Sequence, residues 1–258
     1  MNFVSQLESL SHRNTDITNM RTTLFIPRRS AAVMVAFSLV LGIGAPLLLS
    51  AAPAAQAAAE EKPVCPPIIS DTSDAPDLKE WAAKAEKECQ KWYADFARTL
   101  GSEESRLPKA IKINYTTQYN GVAACSGDTI TVSAKWIREH PDDMGCILHE
   151  MSHFQQSYPK YDPVWLVEGI SDYVRWFMYE PESKRPKVNP AKASARDSYR
   201  TTGAFLDYLS KKYDKNIVRK LSKSLKESRY DESYFKDLTG KTLDELNTEW
   251  LASLKPAS

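Results

Sequence analysis

His149-Glu150-Met151-Ser152-His153 lies within residues 142–158, where Met144, Ile147, Leu148, Met151 and Phe154 recur at helical spacing. On such a helix, side chains four positions apart stand one above the other, so the two imidazoles can reach a common point. Helical periodicity continues downstream through residues 163–179 (Leu166, Ile170, Tyr173, Val174, Phe177) and 195–213 (Tyr199, Ala204, Phe205, Tyr208, Leu209). Shorter helical runs follow at 217–225 and 230–238, and Thr242 with Glu245 forms a capping box that opens the last helix. Upstream, residues 77–100 predict a long amphipathic helix that Gly101 stops. Between the two helical regions the period changes to two. Residues 111–115, 121–125 and 129–133 read as short strands, separated by the turn signals Asn120-Gly121 and Ser126-Gly127-Asp128. These runs predict an α+β fold, with a small, mostly antiparallel sheet followed by a helical C-terminal half.

The chain has 258 residues, and its first part reads as export signal. Arg28-Arg29 precede an uncharged stretch, residues 30–52, and Ala55-Gln56-Ala57 has the small-x-small form of a cleavage site. Residues 1–59 are therefore expected to be removed near Ala57 or Ala59, giving a secreted protein without stable membrane association. Residues 60–76 read as a flexible lead-in, and residues 77–258 as one domain. A net charge of +1 gives no indication of a nucleic-acid surface, and no partner is expected beyond the substrate of a monomer.

The motif carries specific chemistry. Zinc accepts neutral imidazole nitrogen, and a catalytic site usually offers three protein ligands with one position open. Glu150, beside the imidazole face, is placed to act as general base toward an activated water. The chain has four histidines; His12 falls in the export segment, and none lies beyond His153. The third ligand must then be a carboxylate or His140. Glu168 and Asp172, four apart in the next helical run, are the best suppliers. In that division Glu168 binds one zinc ion, and Asp172 accepts a hydrogen bond from the far nitrogen of a ligand histidine. The reverse assignment, with Asp172 as ligand, stays open.

HExxH followed by ExxxD resembles the gluzincin signature. More closely, the chain resembles the plant and bacterial basic secretory protein peptidases. The likeness rests on Gly121-Val122-Ala123-Ala124, Ser126-Gly127-Asp128, the His149–His153 motif, Glu168-Gly169-Ile170-Ser171-Asp172-Tyr173-Val174-Arg175 and Tyr199-Arg200-Thr201-Thr202-Gly203-Ala204-Phe205-Leu206, within residues 107–254. The chain departs from that family in not being basic and in having Cys125 and Cys146. The resemblance implies a zincin-like fold and a secreted zinc metallopeptidase acting on peptide or protein substrates, with Tyr199 as donor to the oxyanion. It also places Cys125 on an edge strand above the motif helix, near Cys146. With four cysteines in an exported chain, the expected disulfides are Cys65–Cys89 and Cys125–Cys146. The competing expectations are a zinc-binding protein without proteolytic activity and a membrane-anchored hydrolase. An endopeptidase is favoured because no motif for gripping a free N-terminal amine is evident.

Overall fold

Four short strands form one sheet: β1 (Ile68–Asp71), β2 (Ile111–Thr116), β3 (Ala123–Ser126) and β4 (Thr129–Ser133), in the order β1-β2-β4-β3. The computed structural model describes residues 63–102 and 107–254. Residues 1–59, expected from the sequence to be an export segment, lie outside them. Among the described residues no helix is long and apolar enough to cross a membrane. The α+β class is as expected, but the strand directions are not. β1 runs parallel to β2, and β2 parallel to β4; β3–β4 is the antiparallel pair. A parallel neighbour needs a crossover, and the long helix α1 (Lys79–Leu100) supplies it between β1 and β2. After β2 the chain skips a place, forms β3 at the sheet edge, and returns through Gly127 to lay β4 in the gap. Three short strands in succession read as mostly antiparallel because adjacency in sequence does not reveal the skipped place. The lead-in also needs correction: within it residues 68–71 pair with β2, from Ile68 opposite Ile111 to Asp71 opposite Asn114.

α1 ends at Gly101, which adopts φ 59° and is free to do so without a Cβ. After β4 comes the short α2 (Ala134–Glu139), N-capped by Ser133, whose hydroxyl accepts from the Trp136 amide. The motif helix α3 (Gly145–Gln156) follows. It packs on α1, β3 and β4, with Ile147, Leu148 and Met151 buried in the same core as Ile111, Ile113, Tyr115, Ile130 and Val132. Gln155 fastens α3 to α1 by donating from Nε2 to the Tyr93 carbonyl at 2.9 Å. Next is α4 (Val164–Tyr173), which continues as a π-helical turn, Val174–Tyr179. Arg175 in that turn donates to Asp143 Oδ1 at 2.6 Å, and this largely buried ion pair ties the turn to the segment that enters α3.

The helices α5 (Tyr199–Lys212), α6 (Ile217–Lys226), α7 (Tyr234–Thr239) and α8 (Leu243–Ser253) complete the fold. The capping box of Thr242 and Glu245 is formed at the start of α8. The tightest approach in the helical half is between α4 and α5. A Cβ on Gly169 would lie 2.1 Å from Thr202 Cγ2 and 2.5 Å from Thr202 Cβ, and one on Gly203 would lie 3.1 Å from the Tyr173 amide nitrogen. Thr202 cannot swing away, because it is fully buried and its hydroxyl donates to the Ala195 carbonyl at 2.7 Å.

Gly169→Ala therefore sets two effects against each other. Helix propensity would gain about 1 kcal/mol, while overpacking a fixed contact costs about 1–3 kcal/mol. The clash reaches the Cβ of a locked residue, so a net loss is expected. It would be read as a lower denaturation midpoint, and an unchanged or raised midpoint would contradict the close packing.

Candidate metal centre

α3 and α4 lie side by side and bring together the residues singled out in the sequence. His149 and His153 stand one turn apart on α3, with ring centroids 5.0 Å apart. Glu168, on α4, points at both. Its Oε2 is 3.1 Å from His149 Nε2 and 3.7 Å from His153 Nε2. One ligand atom from each of the three residues can be chosen so that all lie within 4.8 Å of one another.

The far side of each imidazole is already engaged. His149 Nδ1 donates to Asp172 Oδ1 at 2.7 Å, and a carboxylate can only accept. His153 Nδ1 lies 2.9 Å from Gln156 Oε1 and 3.2 Å from Ser171 Oγ. The Gln156 amide is oriented by its other end. Its Nε2 donates to the Val167 carbonyl and to Ser171 Oγ, both at 2.9 Å, so its oxygen must face His153. Ser152 Oγ, between the two histidines in sequence, lies 2.7 Å from both the His149 carbonyl and Ser171 Oγ. With Nδ1 committed on each ring, Nε2 is the atom turned toward Glu168; a neutral imidazole would offer its lone pair there to a cation held between them.

The donor set suits a divalent cation. Tetrahedral zinc with bonds of about 2.0–2.1 Å places its ligand atoms roughly 3.3 Å apart, and the two imidazole–carboxylate separations bracket that figure. Charge points the same way. Glu168 and Asp172 are buried, and Glu150 is half-buried beside them. Among the described residues no Lys or Arg ion pair engages these three acids; the ion-pair partners of Glu168 and Asp172 are the two histidines. Burying carboxylates without a cation is costly. The histidines register this field in opposite directions. Burial disfavours charge on His149, but the hydrogen bonds with Asp172 and Glu168 outweigh it and push the ring up to about 10. Burial and then the neighbouring charge of His149 press His153 down. Burial would raise Glu168, yet its bond with His149 and the charge of His153 hold it below the usual carboxylate range.

Tyr199 stands at the same centre. Its ring stacks against His149, with centroids 6.2 Å apart and planes at 19°, and it is 53% exposed. Burial, then the charges of Glu168 and Glu150, push its hydroxyl up to about 12, so it remains a donor at neutral pH. Its placement depends on an unusual backbone. Ser198 and Tyr199 have φ of 65° and 45°, a left-handed start to α5 that non-glycine residues adopt only at a cost. β3 packs over α3, and Tyr119 and Cys125 lie within electrostatic reach of the Glu150 carboxylate. His140 is not part of the cluster; it stacks on Trp136 at 3.8 Å on the exposed end of α2.

The expected disulfides are not formed in the structure: Cys65, Cys89, Cys125 and Cys146 are free thiols. Cys146 Sγ donates to the Asp143 carbonyl at 3.1 Å, and Cys65 Sγ to the Pro66 carbonyl at 3.4 Å. Burial pushes all four thiols up, Cys65 to about 11, which keeps them protonated and unreactive.

Three residues of the centre were not foreseen: Gln156, Ser171 and Tyr161. Gln156 could have been found, since it follows His153 by three positions on the same helix face. Ser171 sits inside the Glu168–Asp172 motif. Tyr161 precedes α4 in a segment without periodicity; its hydroxyl donates to Glu168 Oε1, and its ring lies 5.8 Å from that of His153.

Residues 78–250 match the model of a family described as "Peptidase of plants and bacteria". Among solved structures, an M1 zinc metallopeptidase from Deinococcus radiodurans, crystallised as a point mutant bound to a Tyr-Ser-Ala substrate, is similar at 13% identity. The similarity covers 64% of this chain and 45% of that one, less than half its length, with a TM-score of 0.40. No curated protein matches.

Adding zinc to chelator-treated protein should raise its melting temperature. At 100 times the dissociation constant the stabilisation would be about 2.7 kcal/mol. His149→Ala and Glu168→Gln should abolish the shift, and a shift that survived both would place the metal elsewhere.

Proposed function

From the premise that this chain belongs to the peptidase family of plants and bacteria, we propose that it is a secreted zinc endopeptidase. The observation that carries the proposal is the convergence of His149 Nε2, His153 Nε2 and Glu168 Oε2, with both Nδ1 atoms tied off behind them. These three atoms would hold one ion. Zinc bound there supplies Lewis acidity, which polarises a scissile carbonyl and makes a water easier to deprotonate. The remaining work falls to side chains of the chain itself. Glu150, next to His149 on α3, takes a proton from the attacking water on a carboxylate oxygen and returns it to the departing amine nitrogen. Tyr199 donates its hydroxyl to the carbonyl oxygen as negative charge builds there. Asp172 and Gln156 keep the imidazoles turned toward the ion and prevent either ring from flipping.

β3 supports the endopeptidase reading. It is an edge strand, paired on one side by β4, and it lies over α3. An extended peptide can add to its free edge through main-chain hydrogen bonds and continue on both sides of the bond to be cut. Export is supported by the pattern of residues 28–57.

In a fluorogenic-peptide assay, Glu150→Gln should lower kcat by about 10²–10⁴-fold while zinc remains bound. Tyr199→Phe should lower it by about 10²–10³-fold. Unchanged turnover in Glu150→Gln would remove the base from the mechanism, and unchanged turnover after full chelation would remove the metal. For export, N-terminal sequencing of protein recovered from the medium should begin near Ala58 or Glu60; a chain retained with residues 1–57 would contradict it.

A further inference from the structure

We infer that Tyr161 is a positioning residue for Glu168, holding one carboxylate oxygen so that the other faces the two imidazoles; the inference rests on the metal reading above. Tyr161 lies in residues 157–163, the connection between α3 and α4, and precedes Glu168 by seven positions. Its hydroxyl donates to Glu168 Oε1, while Glu168 Oε2 is the atom directed at His149 Nε2 and His153 Nε2. The carboxylate is thus divided, one oxygen occupied from the loop side and one presented to the donor cluster. The two oxygens of a carboxylate are equivalent, but its terminal torsion is broad, so without that bond the group could rotate until neither oxygen faces the imidazoles squarely.

The choice of side chain fits the task. A lysine or arginine in this place would hold Oε1 equally well, but it would also neutralise the charge that a cation requires. A phenol is a neutral donor, so it fixes the carboxylate and leaves its charge available. Tyr161 also rests against the second ligand, its ring 5.8 Å from the His153 ring at 49°. One residue therefore touches two of the three donors, from the solvent side, where it is 50% exposed. Asp172 and Gln156 anchor the histidines from behind; Tyr161 performs the matching service for the carboxylate from in front.

The test measures zinc affinity by competition with a chromophoric chelator in four proteins: wild type, Tyr161→Phe, Glu168→Gln and the double variant. Tyr161→Phe keeps the ring against His153, and its melting temperature in excess chelator should equal that of the wild type. Its zinc affinity should fall about 10–100-fold. In the Glu168→Gln background, removing the hydroxyl should have little further effect, because the group it acts on has changed. Equal zinc affinity in Tyr161→Phe and wild type would overturn the inference, as would losses that simply multiply in the double variant. A lower kcat with affinity intact would move the hydroxyl's role to the substrate and overturn it as well. Wild-type protein that binds no zinc would overturn the metal reading itself, and this inference with it.

Discussion

The commitment of both Nδ1 atoms is the constraint on which the rest of the centre depends. Imidazole offers one donor and one acceptor, and burial leaves neither to water. Once Asp172 and Gln156 have taken the Nδ1 protons, both rings are fixed in tautomer and in rotation. The Nε2 atoms can then point only into the gap that Glu168 faces. The network behind them is closed through Ser171, Ser152 and the Val167 carbonyl. A closed buried network is rigid, and a partly satisfied one is costly, since each orphaned group forfeits about 1–3 kcal/mol. The geometry of the ligands is thus enforced by hydrogen-bond accounting in the layer beneath them.

That layer spans two helices, so the helices must hold their register. Three contacts do this. Gln155 binds α3 to α1, Arg175 binds the π-helical turn to Asp143, and Gly169 and Gly203 let α5 come against α4 without intervening side chains. The π-helical turn falls where a helix leaves the centre, a position at which such irregularities recur. The sheet contributes less to chemistry than to placement, with β3 forming a wall over α3.

Much of this was legible in the chain beforehand, and the parts that were not share a cause. The motif helix, the Glu168–Asp172 pair on the next helix, the stop at Gly101 and the capping box of Thr242 are encoded within a few residues of one another, where local spacing is informative. Strand direction in the sheet is set by which strand fills the place between β2 and β3, a question of tertiary order that no local pattern answers. β1 was hidden because four residues after two prolines carry too little periodicity to separate strand from linker. Tyr161 sits in a loop, where neither a period of 3.6 nor one of 2 marks the inward side. Four cysteines behind an expected export signal suggest pairing, but sulfur counting says nothing of direction, and Cys146 turns to a carbonyl of its own segment.

The near-contact of α4 and α5 has a further bearing on how the molecule meets its ligand. Glu168 sits immediately before Gly169, and Tyr199 begins the helix that carries Thr202 and Gly203, so the carboxylate and the phenol belong to one welded block. Neither can advance on an incoming chain alone. Adaptation to different peptides then falls to elements outside that block, and the spacing between phenol and carboxylate acts as a fixed gauge rather than a jaw.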